Sequence, residues 1–143
     1  MSRQKKLEYT LFTAWAASFT ATLGSLYFSE IMKYEPCTLC WYQRIFMYPL
    51  VLLLGIALAR KDYSIGIYSL LMAALGACLS LYHYSLQKIP ALSDAGTICG
   101  RIPCTGQYIN WLGFITIPFL ALTAFIIIII CSIILIKMTK EMK

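Results

Sequence analysis

With 143 residues, 60% of them hydrophobic and only 13% charged, the chain lacks the charged surface a soluble domain needs. Its formal charge of +6 comes with no basic-aromatic patch, so a nucleic-acid surface is excluded and the positive charge reads as membrane topology and attraction to anionic lipid.

Crossing the hydrocarbon takes ~20 mostly apolar residues, and four stretches supply them, at about 9–29, 41–59, 63–86 and 111–136. The expected fold is all-α: one integral membrane domain over residues 1–143, a four-helix bundle with outer loops at 30–40 and 87–110. Arg3, Lys5 and Lys6 precede the first stretch as they would a secretory signal, but its apolar run is too long and three more follow, so it reads as a retained anchor. An even number of spans puts both termini on one side with the 60–63 connection. That side holds eight basic residues, Arg3, Lys5, Lys6, Arg60, Lys61, Lys137, Lys140 and Lys143, against Lys33, Arg44, Lys88 and Arg101 on the other. The termini are therefore expected in the cytoplasm.

In the first span Thr13, Ser18, Thr20, Thr22, Gly24 and Ser25 lie among large apolar residues, a composition for close helix contact in lipid. Residues 29–35 read as a short polar loop ending at Pro36. The second span opens on Pro36-Cys37-Thr38-Leu39-Cys40-Trp41-Tyr42-Gln43-Arg44. Proline favours the first helical position, which puts both cysteines in the first turn, where unpaired N–H groups and the helix dipole favour thiolate over thiol. Cys40 and Arg44 are four apart and share a face, so a permanent positive charge is expected one turn below the second sulfur. Pro49 lies inside this span and is expected to bend it.

Residues 60–62 are too few for anything but a turn. The third span ends near Tyr82-His83-Tyr84, and His83 is the single histidine of the chain. An ionisable ring at membrane depth is costly enough to suggest a role, while a neutral interfacial histidine flanked by aromatics is an equally good reading. Residues 87–110 form the only long irregular stretch, rich in turn-formers and carrying Cys99-Gly100-Arg101-Ile102-Pro103-Cys104. Gly100 and Pro103 allow the backbone to fold back so that the two sulfurs can meet. The fourth span, with Pro118 and the isoleucine run at 126–130, reads as lipid-facing bulk ending in a basic tail. Cys78 and Cys131 fall inside apolar spans and read as small hydrophobes.

The four remaining cysteines, Cys37, Cys40, Cys99 and Cys104, are all expected on the oxidising side of the membrane. Three readings compete: a four-thiolate zinc site, structural disulfides in a non-catalytic membrane scaffold, and a dithiol relay. The relay is favoured by the contrast between the pairs. One opens a helix against the bilayer, placed for a lipid-soluble electron acceptor; the other lies in a polar loop, placed for a protein.

Taken together, the four spans, the Pro-Cys-Thr-Leu-Cys-Trp-Tyr-Gln-Arg motif, His83 followed by Leu86, Gln87 and Pro90, and the second cysteine pair resemble the DsbB family of disulfide-bond formation proteins. The compact second pair is most similar to its BdbC-like, Gram-positive branch; in the Gram-negative form the loop cysteines are much farther apart. The motif order differs from that of vitamin K epoxide reductase-like bundles, where the membrane-proximal cysteine pair lies near the last span.

The resemblance implies a membrane thiol–quinone oxidoreductase that reoxidises an extracytoplasmic thioredoxin-fold thiol oxidase (DsbA/BdbD-like). It implies Cys99 and Cys104 as the partner-facing pair, with Cys99 forming the mixed disulfide. Cys37 and Cys40 would be the quinone-coupled pair, with Cys40, Arg44 and His83 at the quinone. A Gram-positive setting would imply menaquinone over ubiquinone.

Overall fold

The computed structural model describes residues 2–33, 38–89 and 117–143. These residues form four α-helices and no strand: α1 (Arg3–Leu26), α2 (Thr38–Arg60), α3 (Gly66–Lys88) and α4 (Ile117–Met142). Three stretches are long and apolar enough to cross a membrane, Thr38–Arg60, Tyr63–Leu86 and Phe119–Met142. α1 has the length without the apolarity, because hydroxyl residues interrupt it. Some of these hydroxyls donate back to its own carbonyls, Thr10 to Lys6 and Thr13 to Tyr9, both at 2.8 Å.

Each helix packs against two others, α1 against α2 and α4, and α3 against α2 and α4. All four pairs run antiparallel. Ser25 near the end of α1 meets Arg44 near the start of α2, and Cys40 of α2 meets His83 near the end of α3. Tyr84 and Phe119 pair at 5.7 Å between ring centres, while Arg3 and Glu141 approach to 3.7 Å.

Inward residues recur every three or four positions, the spacing that keeps a side chain on one helix face. On α1 they are Leu7, Leu11, Ala14 and Ser18; on α2, Leu39, Gln43, Met47, Leu50, Leu54 and Ala57. On α4 the row is Phe125, Ile128, Cys131, Ser132 and Leu135. The matching row on α3 is small or polar: Ser69, Ala73, Gly76, Ser80 and His83. Small residues let α4 approach closely. A β-carbon added at Gly76 would overlap the Phe125 ring, and Ser69 and Ser132 hydroxyls meet at 2.7 Å in the buried seam. Cys131 is part of this core, whereas Cys78 faces outward.

Three boundaries differ from the sequence expectation. Past Leu26 the chain stays helical through a π-helical turn, Tyr27–Ile31, closed by Met32 N–H donating to the Tyr27 carbonyl at 3.1 Å, where a loop from Ser29 was expected. α2 continues to Arg60 as an α-helix with Pro49 inside it. α4 does not stop at 136 but carries Lys137 and Lys140 to Met142 as helix, since lysine is a good helix former and cations suit a helix C-terminus. The link between α2 and α3 is the tight turn expected: Lys61 takes a left-handed φ of 53° and the Asp62 carboxylate accepts from the Ser64 N–H at 3.0 Å.

Candidate functional site

At the end of the helices opposite the Lys61 turn, three polar side chains of α2 leave the apolar surroundings in two directions. Cys40 stands in the first described turn of α2, as its place in the motif predicts. Its Sγ lies 4.0 Å from His83 Nδ1 on α3. Gln43, one turn on, is buried, and its Nε2 approaches the same Nδ1 to 3.0 Å. His83 itself is only 2% exposed, so the ring is turned into the α2–α3 seam and not toward a headgroup layer.

Arg44 reaches instead to α1. Its Nε donates to the Ser25 hydroxyl at 2.9 Å and one terminal nitrogen donates to the Ser25 carbonyl at 3.2 Å. The Tyr48 hydroxyl adds a bond to the Ser25 Oγ at 3.4 Å, and the guanidinium lies 5.1 Å from the centre of the Trp41 ring. A guanidinium has five N–H donors, so a clamp on two of them fixes its plane and leaves donors for an anion or a carbonyl. Ser25 had been legible only as a small packing residue; here it positions the charge.

The arrangement combines a sulfur and a fixed cation from the first described turns of α2 with a buried imidazole from α3. That set suits thiolate chemistry, since the thiolate is the nucleophile and leaving group in disulfide exchange and is stabilised by such surroundings. Cys37, Cys99 and Cys104 lie outside the described residues, and with them the zinc reading and the pairing of the cysteines.

The family described as disulfide bond formation protein DsbB matches residues 7–135, nearly the whole chain. The chain belongs to the DsbB family. A "Probable disulfide formation protein C 1" of Bacillus cereus is 72% identical over 137 residues, covering 96% of this chain and 99% of the relative. A "Probable disulfide formation protein C" of Halalkalibacterium halodurans is 61% identical over 133 residues, with 93% and 97% covered. "Disulfide bond formation protein C" of Bacillus subtilis is 58% identical over 120 residues, with 84% and 87% covered. No solved structure matches the chain.

As a DsbB-family member the chain is a membrane thiol oxidoreductase of disulfide bond formation, and the non-catalytic scaffold reading of its cysteines gives way. Gln43 is the residue of this cluster that motif reading passes over. The signal was present: Leu39, Gln43, Met47 and Leu50 are spaced as one helix face, so a polar amide stands in an otherwise apolar row.

Proposed function

We propose that this chain is a thiol–quinone oxidoreductase that reoxidises an extracytoplasmic thioredoxin-fold dithiol oxidase (DsbA/BdbD-like) and passes the electrons to a membrane quinone. It would thereby support disulfide formation in exported proteins. The observation that carries the reading is that the Cys40–His83 contact and the clamped Arg44 lie at the same end of the helices. In this reading the four helices form a transmembrane bundle with both termini cytoplasmic, and the cysteine pairs face the outside. The Bacillus relatives favour menaquinone over ubiquinone, as in a Gram-positive membrane.

The residues present fit a quinone. A quinone head asks for hydrogen-bond donors at its carbonyls and flat apolar contact. Arg44 and His83 would hold the carbonyls, and Trp41, 54% exposed beside Arg44, would supply an aromatic face. When bound, the quinone accepts two electrons and two protons and leaves as the quinol.

The chain's own residues do the rest. A thiolate of the partner attacks a Cys99–Cys104 disulfide at Cys99, and the partner's second thiol resolves the mixed disulfide, leaving the partner oxidised and the loop pair reduced. A loop thiolate then attacks a Cys37–Cys40 disulfide at Cys37, and Cys40 departs as a thiolate at the helix start, with the Arg44 charge on the next turn of the same helix. Closing the loop disulfide leaves Cys37 and Cys40 reduced, and re-forming the Cys37–Cys40 bond would release two electrons and two protons to a bound quinone. The sum is partner dithiol plus quinone giving partner disulfide plus quinol.

The test is direct. Purified protein supplied with a reduced thioredoxin-fold dithiol and an oxidised quinone should bleach the quinone absorbance while the donor loses its thiols. Cys40→Ser should stop both, and Cys104→Ala should accumulate a donor adduct through Cys99. Two inert cysteine pairs in the wild-type protein under these conditions would sink the reading.

A further inference from the structure

The Cys40–His83 approach has the look of a nucleophile and its base, as in enzymes where an imidazole takes the proton of a thiol. The contact made by Gln43 argues against that role. An imidazole nitrogen has one site in the ring plane, carrying either a proton or a lone pair, and an amide NH2 can only donate. With Gln43 Nε2 3.0 Å from Nδ1 and Cys40 Sγ at 4.0 Å from the same atom, the amide has the lone pair and the sulfur stands outside bonding range for a strong contact. A ring whose Nδ1 accepts carries its proton on Nε2.

We propose that Gln43 is a positioning residue: its amide occupies Nδ1 of His83, holds the ring as the neutral Nε2–H tautomer, and makes His83 a hydrogen-bond donor through Nε2 instead of a base toward Cys40. Both partners are buried, Gln43 at 6% and His83 at 2% exposure, where an unsatisfied ring nitrogen or amide is costly. The arrangement also outlasts the redox cycle. Cys40 has an S–H to offer only as a thiol, and neither its thiolate nor its disulfide can satisfy Nδ1; the amide can in every state. The catalytic meaning of this tautomer rests on the thiol–quinone reading above.

Because His83 is the one histidine in the chain, 15N-histidine labelling of the full-length protein in lipid nanodiscs, purified without a histidine tag, reports this ring alone. The expected wild-type spectrum has Nδ1 in the unprotonated range and Nε2 in the protonated range, in both the oxidised and the dithiol-reduced protein. Gln43→Glu places an acceptor against Nδ1 and should reverse the pattern. Gln43→Met removes the donor and should mix the two tautomers, with kcat for quinone reduction falling about tenfold and KM for the thiol donor unchanged. A protonated Nδ1 in the wild type, or an unaltered tautomer in Gln43→Met, overturns the assignment. Should Gln43→Met not fold, the wild-type and Gln43→Glu spectra decide alone. The spectrum needs no turnover, so the two ideas fail separately. The expected tautomer in a protein inert toward quinone sinks the thiol–quinone reading, while the reversed tautomer in an active one sinks only the role given to Gln43.

Discussion

Arg44 shows how a single side chain can be set by a neighbour that carries no chemistry itself. Its guanidinium is held through Ser25, by the hydroxyl at 2.9 Å and the carbonyl at 3.2 Å. Ser25→Ala removes the first bond and the Tyr48 contact while keeping the second. A hydrogen bond to a charged group contributes about 1.5–3 kcal/mol, and part of that is recovered by rotation onto the carbonyl or water. The expected outcome is a roughly 5- to 30-fold loss in quinone reduction, the equivalent of about 1–2 kcal/mol, with partner mixed-disulfide formation intact. Stopped-flow absorbance of the quinone, beside gel detection of the adduct, reads both. Cys40 and His83 were legible in the sequence because thiols and imidazoles announce their chemistry wherever they stand. Ser25 and Gln43 were not, since serine and glutamine acquire a role only from what faces them, and the facing residues lie 19 and 40 positions away.

Among the elements, α3 and α4 depend on each other's shape most closely. Gly76 leaves room for Phe125, which is fully buried, and Gly66 does the same near Ile136, where an added β-carbon would sit 3.0 Å from a side-chain carbon. Gly76→Ala should therefore cost about 1–3 kcal/mol by overpacking, outweighing the helix propensity that alanine gains over glycine. Thermal unfolding in detergent should show the loss, and a more stable Gly76→Ala protein would contradict the packing. The apolar run of α3 was legible in full, its span falling at Tyr63–Leu86 as hydropathy suggests. The ends of α1 and α4 were not. Polar residues at 29–30 and 137–140 look like loop by composition, yet backbone hydrogen bonds carry the helix through them while the Glu30, Lys137 and Lys140 side chains stay at the surface.

At the scale of the molecule the antiparallel order sorts charge. Arg3, Arg60, Lys61, Lys137, Lys140 and Lys143 gather at one end, where Arg3 meets Glu141, and Cys40, Arg44 and His83 occupy the other. By the positive-inside rule, the proposed orientation puts this basic end in the cytoplasm. Lys61→Cys, in a background lacking the native cysteines, should react with an impermeant maleimide only after cells are opened, and Lys88→Cys should react in intact cells. Labelling of Lys61→Cys from outside would invert the topology. The Gln43–His83 contact has a mechanical corollary. The backbone links α2 to α3 at the Lys61 turn, and His83 lies about 27 Å along the helix from that turn at 1.5 Å per residue. Two degrees of splay at that turn would become about 1 Å at this contact. A bilayer too thin or too thick for these helices changes their tilt, so turnover in vesicles is expected to vary with acyl-chain length, and a rate indifferent to that length would count against this coupling.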